Sequence, residues 1–193
     1  HRVMAGIIDV YSVAFLTVVG MLAPAMAQVA PGPAEIAAYR GLHAAAAAGD
    51  AGEIARLIAG GARTEERDGN GRTPLHVAAF GSHYAAVTAL IKGGAEARAL
   101  DNQRYDIVTI AGVKDDVKMV TLALELGADA RAVTSPYDGT ALIAAAHLGH
   151  DGVVRELIRF GAPLDHVNNL GWTALIGAVI LGNGGPRHVA CVE

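Results

Sequence analysis

Cysteine is nearly missing: Cys191 is the single one in 193 residues. No intramolecular disulfide can form, and a cysteine-rich zinc site is excluded. Aromatic residues make up 5% of the chain, too few for an aromatic-rich β-sandwich core. No basic run occurs, and 15 Lys+Arg stand against 19 Asp+Glu for a net charge of −4, so a nucleic-acid footprint is not expected. Catalytic signatures are missing too. There is no G-x-S-x-G elbow, no H-E-x-x-H, no C-x-x-C and no glycine-rich phosphate loop. What is present is a 52% hydrophobic chain with 24 glycines, which points to a core of Ala, Leu, Ile and Val cut by many tight turns.

The first 27 residues differ from the rest. Arg2 precedes a mostly apolar run from Val10 to Leu22, followed by Pro24 and the small-residue end Ala25-Met26-Ala27. A basic start, an apolar stretch of this length and an A-x-A end predict a secretory signal peptide over 1–27, cleaved after Ala27. The apolar run is short for a membrane span of about 20 residues, and Asp9 interrupts its start. An uncleaved anchor, giving a membrane-tethered scaffold, is the alternative. Cleavage removes one basic and one acidic residue and leaves the charge at −4. Residues 28–38 read as a linker with Pro31, Gly32 and Pro33, then a short helical piece.

From residue 39 onward the sequence repeats. Leu42, Leu75, Val108, Leu142 and Leu175 follow one another at 33, 33, 34 and 33 residues. Gly61-Ala62, Gly94-Ala95, Gly127-Ala128 and Gly161-Ala162 keep the same period, as do Ile54, Val87, Val120 and Val154. Three series sharing one period indicate a solenoid in which neighbouring units supply each other's core. Within a unit, Thr73 is placed to cap a helix through its hydroxyl, and Pro74 fits the first helical turn. Val87, Leu90 and Ile91 form a buried stripe on a second helix, and Gly94 ends it.

"GRTPLHVAAF", "DGTALIAAAHLGHDGVVRELIRFGAPLD" and "LGWTALIGAVILGN" resemble the ankyrin repeat, as does the weaker "GLHAAAAAGDAGEIARLIAGGA". The resemblance implies an all-α repeat solenoid of stacked units, each a β-turn followed by two antiparallel helices. The units fall at about 39–66, 67–99, 100–132 and 133–166, with a truncated fifth at 167–193. It also implies that His43 and His76 brace the structure by hydrogen bonding rather than acting as ligands or bases. The third unit departs from the pattern, with Asp106, Ile107 and Thr109 where Thr, Pro and His would stand.

The implied function is non-catalytic binding of another protein, with no cofactor and no metal. An exported chain of this kind would be periplasmic or secreted, and bacterial. The alternative is a regulatory array belonging to a longer enzyme. In such repeats the hairpin tips and the outward side of each first helix form the variable groove. Those positions here include Arg72, Asp101, Arg104, Tyr105, Tyr137 and Trp172 at the tips, and Phe80, Lys114 and His147 on the helices. Aromatic and arginine side chains are the usual anchors of such contacts. His147, His150 and Asp151 lie close in sequence, but the repeat register makes His150 a turn residue rather than a metal ligand.

Overall fold

A computed structural model describes residues 28–180 and 182–193. The proposed signal segment, 1–27, lies outside the described residues. Eleven helices are described: α1 (Pro33–Ala38), α2 (Gly41–Ala48), α3 (Ala51–Ala59), α4 (Pro74–Phe80), α5 (Tyr84–Lys92), α6 (Ile107–Val113), α7 (Val117–Glu125), α8 (Ala141–Leu148), α9 (Asp151–Arg159), α10 (Ala174–Ile180) and α11 (Pro186–Ala190). Among the described residues the only β-type pairing is an isolated bridge between Thr134 and Gly139.

The helices fall into antiparallel pairs, α2/α3, α4/α5, α6/α7 and α8/α9, which stack side by side. First helices α2, α4, α6, α8 and α10 form one layer, and second helices α3, α5, α7 and α9 form the other. The fifth unit has a first helix but only the five-residue α11 after it, which packs back on α8, α9 and α10. The cause is the Gly184-Gly185-Pro186 insertion, which delays the second helix and leaves it with no buried residue.

Small residues set the spacing of the first layer. The position four after each repeat leucine is Ala46, Ala79, Gly112 and Ala146, all buried. The leucine series itself is buried in the first four units, at 1–3% exposure, whereas Leu175 is 55% exposed. The second layer carries the larger apolar payload: Ile54, Val87, Leu90, Val120 and Leu157 are each fully enclosed. Enclosing one such side chain contributes about 1.5–3 kcal/mol, so stability is spread over the unit-to-unit interfaces.

Helix starts are capped by several chemistries. Asp106 Oδ1 accepts from Thr109 N at 2.8 Å, and Thr140 and Thr173 accept from Ile143 N and Ile176 N at 3.3 Å. At α4 the Thr73 cap expected from sequence is one half of a reciprocal capping box with His76. The Thr73 backbone N–H donates to His76 Nδ1 at 3.1 Å, and Thr73 Oγ1 lies 2.8 Å from the same nitrogen.

Candidate protein-binding face

Four hairpins connect the units, and one side-chain acceptor shapes each of them. Asp68 Oδ1 accepts from the backbone of Asn70 and Arg72, both at 2.9 Å. Asp101 Oδ1 repeats this with Gln103 and Tyr105 at 2.8 and 2.9 Å, and Asn168 Oδ1 with Leu170 and Trp172 at 3.0 Å. Ser135 Oγ takes the role for Tyr137 and Gly139 at 3.3 Å. Successive tips are then tied by main-chain bonds: Asn102 N to Asn70 O at 3.0 Å, Ser135 N to Arg104 O and Asn169 N to Tyr137 O, both at 2.9 Å. The tips thus form a continuous edge along the stack.

This geometry decides which tip residues face outward. The residue directly before each first-helix cap is Arg72, Tyr105, Gly139 and Trp172, and in the second and third units its side chain is enclosed beneath the hairpin. Arg72 and Tyr105 are therefore buried, at 0% and 4% exposure, and Asp101 is occupied in shaping its own turn at 8%. These three corrections take Asp101 and Tyr105 off the exposed surface, and Arg72 with them while residues 28–39 are seated over it. Trp172 shares their register but is only half-buried. Tyr137 is half-buried too, and Arg104 is exposed and donates to Asp138 Oδ1 at 2.7 Å.

Arg104 and Asp138 sit at the hairpin position where the neighbouring units carry Gly71 and Gly171. All four have positive φ: 72°, 64°, 52° and 81° in chain order. Left-handed backbone costs a non-glycine residue about 1 kcal/mol or more, so two adjacent tips hold charged side chains in a conformation that glycine adopts freely.

The first-helix layer adds a row. Five residues after each repeat leucine stand Ala47, Phe80, Val113, His147 and Ile180, the first four half-buried and Ile180 48% exposed. Phe80 packs one side on the core and leaves the other open. His147 is held mostly neutral, its pKa lowered by burial and then by the neighbouring His188.

Lys114, expected on this face, is exposed, and its ammonium is engaged by the preceding helix end. Its Nζ donates to Phe80 O and, at 2.8 Å, to Ser82 Oγ, at the carboxyl end of α4. The same task falls to a histidine at every other junction. His83 Nε2 donates to Ala47 O at 3.0 Å, His150 Nδ1 to Gly112 O at 2.8 Å and His188 Nε2 to His147 O at 3.0 Å. Each of the four later units therefore places one N–H donor on a carbonyl in the last turn of the preceding first helix, where the helix dipole favours it. His83 lies so close that a Cβ on Gly49 would meet its ring at 2.6 Å; in the third unit Asp116 stands in the register of His83, Lys114 two positions earlier supplies the donor, and Ser82, in the register of Gly49, accepts from the ammonium. Sequence reading placed His150 at a turn but missed this series, because its member in the third unit is a different residue type.

The bracing expected of His43 and His76 is present. His43 Nε2 donates to Arg72 O at 2.9 Å and His76 Nε2 to Tyr105 O at 3.1 Å, each crossing to the next unit. Because His76 Nδ1 accepts from Thr73 N–H, its proton sits on Nε2. Burial pushes its pKa below the usual imidazole value.

On the second-helix side, a cleft of about 450 Å³ opens between α5 and α7, lined by Tyr84, Thr88, Lys118, Thr121 and Leu122 among others. Tyr84 props it open, donating to Asp116 Oδ1 at 3.1 Å with Lys118 Nζ 4.2 Å from its ring centre. Among the described residues no group of three or more His, Cys, Asp or Glu is arranged to hold a metal ion, and no helix is long and apolar enough to cross a membrane.

The family described as "Ankyrin repeats (3 copies)" matches residues 42–134 and again 108–193. The chain belongs to the ankyrin-repeat family, whose repeats serve as protein–protein interaction modules. A search among curated proteins returns no match.

Proposed function

We propose that this chain is a non-catalytic binder of another protein, exported to the periplasm or beyond the cell after cleavage behind Ala27. The partner is gripped along the row Phe80–Val113–His147 and along the outward tips Arg104, Tyr137, Asp138 and Trp172. The observation that carries this reading is the pair of left-handed, non-glycine tips, Arg104 and Asp138, with φ of 64° and 52°. Strain of this kind persists where a side chain must be presented in one direction. Half-open aromatic groups beside it, Tyr137 and Trp172, supply rigid contact area. Export rests on the basic, apolar and small-residue pattern of residues 1–27.

Crosslinking capture from the exported fraction tests the face. The double variant Phe80→Ala/Trp172→Ala removes two half-open anchors and leaves the buried Tyr105 in place. Captured partner is expected to fall at least about tenfold, the loss of one ordinary anchor. Unchanged recovery sinks this choice of face. N-terminal sequencing tests export separately: mature material starts at Gln28, and a start upstream of it removes the cleavage reading.

A further inference from the structure

Residues 28–39 run back over the first hairpin and are held there by polar contacts. Arg72 Nη1 donates to Val29 O at 3.0 Å, and Nη2 pairs with the Glu35 carboxylate. Asn70 Nδ2 donates to Glu35 Oε1 at 2.8 Å, and Gly32 N–H donates to Glu35 Oε2 at 2.7 Å. Tyr39 OH and Arg72 Nε both donate to Asp68 Oδ2, at 2.6 and 2.8 Å. Apolar packing contributes little: α1 has no buried residue, and Val29 and Ile36 are 54% and 45% exposed.

The two carboxylates on Arg72 are not equivalent. Asp68 belongs to the same hairpin and is fixed by it. Glu35 arrives from a separate segment, its side chain 40% exposed while that of Arg72 is 1% exposed. A guanidinium this deeply placed requires an anion and acceptors around it. Any segment offering a main-chain carbonyl and, six residues later, a carboxylate supplies what Val29 and Glu35 supply. The run Pro31-Gly32-Pro33 keeps that spacing stiff, with Gly32 extended at φ −74° and ψ 163°.

We propose that the Arg72 pocket is a peptide-binding site for a segment that runs extended from its carbonyl contact and then enters a helical turn carrying a carboxylate, which residues 28–39 fill in cis and thereby gate. The site is separate from the Phe80–His147 row, and its test does not depend on that row binding anything.

The probe is a fluorescein-labelled synthetic peptide of residues 28–40, titrated by anisotropy into the full chain. The wild-type chain, with its own segment seated, binds weakly. The Glu35→Gln chain binds the same peptide about tenfold tighter, as expected when one charge-assisted contact no longer competes. A peptide carrying Gln in place of its glutamate loses that gain. No tightening in the Glu35→Gln chain, or equal binding of the Gln peptide, overturns the proposal. Hydrogen exchange on the wild-type chain provides a readout free of any substitution. Saturating unlabelled peptide speeds exchange at the Ile36 and Tyr39 amides, which bond to Gly32 O and Glu35 O. Unchanged exchange there overturns it as well.

Discussion

The second and third repeats have the same helices in the same places but are joined to their neighbours by different chemistry. In the second, His76 uses both ring nitrogens, taking Thr73 N–H and giving to Tyr105 O, and His83 reaches back to Ala47 O. In the third, Thr109 Oγ1 meets Thr134 Oγ1 at 2.8 Å, Asp106 caps the helix, and Lys114 reaches back to Phe80 O. At the helix end the unit tolerates exchange of imidazole for ammonium because a donor aimed at a carbonyl is enough, and at the brace a pair of threonine hydroxyls replaces the imidazole–carbonyl bond. The exchange does change how each unit responds to truncation and to pH.

Truncation gives the largest contrast. His76→Ala strands the buried Thr73 N–H, takes one of two donors from the Tyr105 carbonyl, which keeps the bond from Asp101 N, and leaves a void, so it is expected to cost about 2–4 kcal/mol. Thr109→Ala removes one hydroxyl bond and is expected to cost about 1 kcal/mol. Urea unfolding of the two variants measures the difference, and equal midpoint shifts would break the comparison.

The pH responses differ in sign. The folded pKa of His76 is lowered by burial from its ordinary 6.5. Below that value the unfolded chain takes up a proton that the folded chain refuses. Its stabilising contribution is thus present above pH 6.5 and is lost as the pH falls toward the lower folded value, at up to about 1.4 kcal/mol per pH unit. Asp106 is the reverse case: burial raises its pKa above the ordinary 3.8, so it favours the fold most in acid and loses that contribution as pH rises through the folded value. His76→Gln is expected to flatten the loss of stability between neutral pH and the lowered folded pKa. Asp106→Asn is expected to compare more favourably with wild type at pH 7 than at pH 4. Thermal melts across that range decide both.

The two junction donors sharpen the comparison at smaller scale. Lys114→Met and His83→Ala each leave open carbonyls at a helix end that water can still reach in part. Each is expected to cost about 1 kcal/mol, with the lysine variant more sensitive to salt. Smallest is Arg104→Gly. Relief of the left-handed backbone, about 1 kcal/mol, outweighs an ion pair whose two side chains are about half exposed. The expected result is a slight rise in melting temperature together with weaker partner capture. A fall in melting temperature would show that the Arg104–Asp138 pair outweighs the backbone term.

The repeat period, the helix pairs and the bracing role of His43 and His76 were legible because they are local: a residue type recurs at a fixed offset. The candidate face was only half legible. Phe80, Arg104, Tyr137, His147 and Trp172 retain open surface, but Arg72, Tyr105 and Asp101 were assigned to it from their place in the tips and turned inward. Their direction depends on a hairpin hydrogen-bond pattern and, for Arg72, on a segment more than 30 residues away. Lys114 stays exposed, but what its ammonium reaches was not legible for a similar reason, since those partners lie 32 to 35 residues earlier.

By itself the sequence determined a chain of about 33-residue units, each opening its first helix on a recurrent Leu or Val, with small first-helix residues and glycine stops, because these follow from backbone geometry within one unit. Only the tertiary structure decided which polar side chains are spent on joining units and which remain for a partner. A donor's target is a carbonyl on a neighbouring unit, and no local pattern specifies which side chain reaches it first.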